Sequence, residues 1–177
     1  MLSGEAGIGK SRISEVLRER VADAGTRIRY QCSRNYTDTP LFPVVAQLQA
    51  AARVKPDDPP ATTLDKLERV ISPARIGPEV ALPLLAELLV IPAGDRCPAF
   101  AMGPELRKVR TLQVLADQLF AFAQQRPVLV LLEDAHWIDS TTRELFDSVI
   151  EPIGGRCVML LVAAGRNSRT RGEATAT

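Results

Sequence analysis

Three cysteines in 177 residues are too few and too scattered to organise anything. Cys32, Cys97 and Cys157 form no C-x-x-C pair, which argues against a zinc site or a disulfide framework and for idle thiols in a reducing compartment. No apolar run approaches the ~20 residues of a membrane helix. The best run, Val80–Ile91, is interrupted by Pro83 and Glu87. The N-terminus lacks a basic segment leading into an apolar one, so it does not read as a signal peptide, and the expected compartment is the cytoplasm. Charge is nearly balanced, with 22 Lys and Arg against 21 Asp and Glu, which argues against a large nucleic-acid footprint, though not against a local patch, and predicts no direct nucleic-acid binding. What is present is an ordinary globular composition, 46% hydrophobic, enough for the core of about one domain at ~100–200 residues each.

Periodicity divides the chain into alternating strands and helices. A helix pattern runs from about Lys10 to Ala24, with Ile13, Val16, Leu17 and Val21 on one face and Gly25 as its C-cap. Thr26–Cys32 alternates as a strand does, and Ser33–Pro40 reads as a polar loop. Phe42–Arg53 carries a helical stripe of Val44, Val45, Leu48 and Ala52. The Lys55–Pro60 stretch is a turn by composition. Thr62–Ile71 reads as a short helix, with Thr62 and Asp65 spaced as a capping box. Pro78 opens a helix ending near Pro92, and Ala93–Gly103 is irregular. Pro104 opens a long helix to about Gln125, with Leu106, Val109, Leu112, Leu115, Leu119 and Phe122 as its apolar face. Val128–Leu132 is unbroken apolar sequence, as in a strand buried on both faces. Ser140–Ile150 reads as a helix capped by Asp139 or Thr141, with Glu144 placed for a capping box. Gly154-Gly155 is a turn, Cys157–Ala164 a second buried strand, and Asn167–Thr177 a frayed tail. Strands alternating with helices predict a parallel α/β sheet.

Gly4-Glu5-Ala6-Gly7-Ile8-Gly9-Lys10-Ser11 fits G-x-x-x-x-G-K-[ST] in full. Glycines let the backbone wrap a phosphate, and the N–H groups of the loop and the following helix then face the anion. Lys10 can reach the β- and γ-phosphates, and the Ser11 hydroxyl can ligate Mg²⁺. The strand that should precede Gly4 is a three-residue stub. A second signal lies at Val128–Asp134, where an apolar strand ends in Glu133-Asp134. Carboxylates delivered to the C-terminal edge of a parallel sheet can place Mg²⁺ through water and orient or deprotonate the attacking water. The bland reading of this pair is a loop start or helix cap. His136 and Trp137, the single histidine and tryptophan, read as a hydrogen-bonding structural residue and a packing anchor.

Four stretches together resemble the P-loop ATPase region of bacterial STAND-type regulators, a branch close to AAA+ ATPases: LSGEAGIGKSR at Leu2–Arg12, RYQCS with PLFPVVAQL within Arg29–Leu48, VLLEDAHWIDSTTRELFD up to Asp147, and LLVAAGR at Leu160–Arg166. The likeness is strongest to the ATPase segment that follows class III adenylate/guanylate cyclase domains. Similar ATPases precede LuxR-type transcription domains and are grouped with origin-recognition-complex-like ATPases.

The resemblance implies a three-layer α/β P-loop domain with strand order 5-1-4-3-2, an extra strand between the P-loop and acidic strands, and a helical insertion over about 41–125. It implies an ATPase domain over 1–166, truncated at both ends, followed by a disordered tail over 167–177. Lys10 and Ser11 match the family's phosphate and magnesium residues. Glu133 falls at the magnesium-side carboxylate and Asp134 at the water-activating one, a Glu-Asp order that departs from the commoner Asp-Asp or Asp-Glu. Arg166 resembles the sensor arginine that contacts the γ-phosphate. The implied function is binding of ATP with Mg²⁺ and slow hydrolysis used as a regulatory switch, with an effector domain in cis, a cyclase or a DNA-binding domain. Turnover is expected of the longer protein and not of this stretch alone. The alternatives are a small P-loop kinase and a nucleotide-binding module without turnover.

Overall fold

A computed structural model describes residues 2–4, 9–21, 24–71, 77–92, 94–97 and 102–165, with backbone alone at 2–4, 10, 11 and 95. Ten main elements follow one another: β1 (Leu2–Gly4), α1 (Lys10–Arg20), β2 (Thr26–Gln31), α2 (Phe42–Ala51), α3 (Pro60–Ile71), α4 (Pro78–Leu88), α5 (Pro104–Gln125), β3 (Val128–Glu133), α6 (Ser140–Ile150) and β4 (Val158–Gly165). The four strands form one parallel sheet in the order β1-β4-β3-β2. This is the expected 1-4-3-2 order, with β4 between the P-loop strand and the acidic strand. The place of a fifth strand and the tail 167–177 lie outside the described residues.

Alternation along the strands divides their side chains between two faces. Ile28, Tyr30, Val128, Val130 and Leu132 face the helices of the insertion and α6, and join Leu64, Leu67, Leu84, Leu85, Leu119, Phe146 and others in one continuous core. Leu129, Leu131 and Leu161 face α1 and make a small separate cluster with its Leu17 and Val21. With helices on both faces, the layers are those of a three-layer α/β domain. β3 is buried along its apolar length, as its unbroken run requires.

Several local expectations are corrected. Gly25 is not a left-handed C-cap: α1 ends at Arg20, and its C-cap Val21 is right-handed. Gly25 instead allows a close approach, since a Cβ there would lie 2.5 Å from the Pro127 carbonyl oxygen, the acceptor of the Thr26 N–H. The Thr62–Asp65 capping box does not form, because Pro60 takes the first helical position and starts α3 two residues earlier. Thr63 bonds back to the Pro59 carbonyl, and Asp65 pairs with Arg96. On α5, Leu106 and Val109 are about half exposed, because the buried stripe starts at Thr111 and runs through Val114, Leu115, Gln118 and Leu119. Asp139, not Thr141, caps α6, and Glu144 pairs with Lys108. β4 is not buried on both faces: Met159 is 50% exposed, because α1 covers only part of that side.

Candidate nucleotide site

The site is built from the ends of three strands and the start of one helix. Gly4 ends β1 and pairs with Gly165 at the end of β4. Gly9 precedes α1 with φ 96°, a left-handed conformation in which a side chain would be strained, and the space around it is open. The helix that follows has no side-chain cap and no acidic residue in its first turn, while Arg18 and Arg20 occupy its last turn. The helix dipole favours an anion at this end. Lys10 and Ser11 lie in the first turn of α1. Glu5, Ala6, Gly7, Ile8 and Arg166 lie outside the described residues.

The two carboxylates stand where the sequence implied, at the C-terminal edge of β3. They border a cleft of about 480 Å³ together with Ser14, Glu15 and Arg18 of α1, Arg29 and Gln31 of β2, and Ala163 of β4. Sequence reasoning missed the two β2 side chains. Arg29 donates from Nε to Glu133 Oε2 at 2.6 Å and from Nη2 to Gln31 Oε1 at 2.7 Å. Gln31 donates from Nε2 to Asp134 Oδ2 at 2.6 Å. The result is a hydrogen-bonded chain Glu133–Arg29–Gln31–Asp134 laid across the strand ends. The available signal was the alternation of β2, which puts Arg29 and Gln31 on one face, combined with a register that sets Gln31 beside Glu133.

Asp134 is the first residue after β3 and is left-handed, with φ 52°. A short 3₁₀ turn follows, Ala135–Trp137. In it His136 Nδ1 accepts the Gly165 N–H at 3.1 Å. Trp137 packs half-buried against the main core, with the Arg34 guanidinium 5.6 Å from its ring centroid. Asp139 then joins two helices. Its buried carboxylate accepts from the Thr142 N–H (2.8 Å) and hydroxyl (2.6 Å), capping α6. It also accepts from the Leu41 N–H (3.1 Å), at the left-handed residue that opens α2. Nearby, burial pushes the Cys32 thiol up to about 12, with the Asp139 and Asp134 carboxylates adding to the effect. This thiol is no nucleophile. All three cysteines are free, Cys32 buried, Cys97 half-buried and Cys157 exposed.

The uncapped helix start suits phosphate, and the two carboxylates with a first-turn serine suit a hard cation, so the residues fit a magnesium nucleotide. A parallel sheet with β4 between the glycine-loop strand and the acidic strand defines a P-loop nucleoside triphosphatase. The AAA ATPase domain model matches residues 1–154, and the chain belongs to that family. Membership suggests nucleotide binding, with Mg²⁺ as its usual companion. An uncharacterized protein of Rhizobium meliloti (strain 1021) is 26% identical over 174 residues, 95% of this chain and 16% of its own length. The chain therefore spans about a sixth of that relative. No solved structure matches the chain with significance.

Proposed function

We propose that this domain binds Mg·ATP and hydrolyses it slowly, as a conformational switch within a larger cytoplasmic regulator of the STAND type. The backbone of Gly4–Gly9 would cradle the phosphates, with Lys10 as the point charge against the β- and γ-phosphates. Ser11 and Glu133 would hold Mg²⁺, which when bound draws charge off the phosphate oxygens. Asp134 would orient the attacking water and take its proton. Arg166 would contact the γ-phosphate. The ATPase unit would extend over 1–166, with 167–177 as a tail. A cyclase or DNA-binding domain in cis would read out the switch. No helix among the described residues is long and apolar enough to cross a membrane.

The observation that carries this reading is the carboxylate pair at the end of β3, bordering one cleft with the inner face of α1. Calorimetry on the Lys10→Ala variant of the longer protein provides the test. Mg·ATP affinity should fall at least about tenfold, because a charge-assisted contact is worth roughly 1.5–3 kcal/mol. Equal affinity in parent and variant would remove Lys10 from the site. Asp134→Asn should retain binding and lose most phosphate release, whereas Glu133→Gln should chiefly raise the Mg²⁺ requirement. Phosphate release without any acceptor separates this function from a kinase.

A further inference from the structure

We propose that His136 is a positioning residue that locks the carboxylate loop to the phosphate loop through Gly165, and so sets where Asp134 stands during hydrolysis. The proposal rests on the reading of Asp134 as the water-activating group.

Asp134 occupies a left-handed conformation, which Asp adopts more readily than most non-glycine residues. Its own carboxylate does not cap the turn it opens. The backbone of the loop is held instead from its far side. His136 Nδ1 accepts the Gly165 N–H, so the ring carries its proton on Nε2. The approach is close: a Cβ on Gly165 would sit 3.1 Å from His136 Cε1. An alanine at 165 would require the ring to give by a few tenths of an ångström. On its other side, Gly165 pairs with Gly4, the first residue of the glycine loop. One β4 residue thus touches the carboxylate turn and the end of β1 that leads into the glycine loop, and the imidazole is the side chain that completes the link. Trp137, with its ring centroid 4.8 Å from that of His136, is anchored in turn by Arg34. The turn cannot shift without breaking one of these contacts. A water-activating group displaced by about 1 Å can lose up to about a hundredfold in rate.

The test uses two variants of opposite kind. His136→Phe keeps a flat ring and removes the acceptor. His136→Asn returns an oxygen near the Nδ1 position. In nucleotide-free protein, His136→Phe should speed amide exchange at Gly165 and also at Trp137 and Ile138, whose N–H groups close the turn, while His136→Asn restores protection. In the longer protein that carries this domain, with Mg·ATP, His136→Phe should keep affinity within about twofold and lose about tenfold or more in kcat, and His136→Asn should recover most of it. Gly165→Ala should slow turnover in the parent and have no further effect in His136→Ala, where the ring it crowds is gone. The inference is overturned if His136→Phe exchanges and turns over like the parent. It is equally overturned if exchange changes at Gly165 alone, if His136→Asn behaves like His136→Phe, or if affinity falls as much as kcat. Failure of Lys10→Ala to weaken ATP binding would overturn the nucleotide reading separately, while the exchange comparison still decides whether His136 holds the loop.

Discussion

One face of the sheet lies under the insertion helices and α6, whose buried side chains run without a break from Ile28 to Val149. Among the described residues the other face carries α1 alone, with Leu17 and Val21 resting on Leu129, Leu131 and Leu161. The first face is a scaffold. Its helices hold β2 and β3 in register and fix the 134–139 loop through Asp139. The second face trades packing for access. Where a fully packed α/β sheet would bring apolar side chains up from its edge strand, β2 presents Arg27, which donates to the Arg18 carbonyl of α1, and then Arg29 and Gln31, with the cleft between these two and α1. The same polar stripe that limits packing on this side to one small cluster supplies the two side chains that bond Glu133 and Asp134.

The difference between the faces is best broken by paired truncations. Leu85 is fully buried in the insertion core. Leu85→Ala should cost about 3–5 kcal/mol of unfolding free energy, and Leu161→Ala on the α1 side about 2 kcal/mol or less. Chemical denaturation measures both. Equal costs would mean that the two faces are packed alike.

A somewhat smaller effect is expected at Asp139, the joint between the insertion face and the loop. Asp139→Ala removes a helix cap and leaves the Leu41 N–H without its acceptor, which should cost about 2–3 kcal/mol. Asp139→Asn keeps an acceptor oxygen and should cost about 1 kcal/mol or less. If the alanine variant unfolds like the parent, the carboxylate does not tie α2 to α6.

The smallest effect concerns the thiols. The Cys32 thiol is pushed from 9.0 to about 12 by burial, so the folded protein resists forming the thiolate. The stability this represents is complete below about pH 9 and is lost as pH rises from there toward about 12. Burial shifts the Tyr30 phenol upward as well, in the same sense. Cys32→Ser should flatten the alkaline loss of stability. At pH 8 a thiol reagent should label Cys157 at once and Cys32 only on unfolding. Fast labelling at Cys32 would show that the insertion face opens more readily than its packing implies.

Much of this architecture was legible because the signals were local. Pro104 opens α5 and Asp139 caps α6 as their types suggest, and the run Val128–Leu132 could only be a central strand. The place of Glu133-Asp134 at the end of a buried strand was legible from the apolar run before it. What was not legible depends on partners distant in sequence. Gly25 answers to the Pro127 carbonyl, and Arg29 and Gln31 answer to carboxylates more than 100 residues away. The exposure of Leu106, Val109 and Met159 depends on which helix lies opposite, and a period of 3.6 or 2 says which residues share a face without saying what covers it. The second bond of Asp139, to the Leu41 backbone, could not be read from Asp139 at all.

Amide hydrogen exchange with and without Mg·ATP tests the central claim, that the α1 face takes the nucleotide and the insertion face supports it. Without nucleotide, α1 amides should exchange well ahead of those in α4, α5 and β3. Saturating Mg·ATP should slow exchange in α1 and at the 134–137 turn and leave α4 and α5 unchanged, and Lys10→Ala should abolish the slowing. Protection of α1 equal to that of α4 before nucleotide is added, or slowing confined to the insertion helices, would contradict the account.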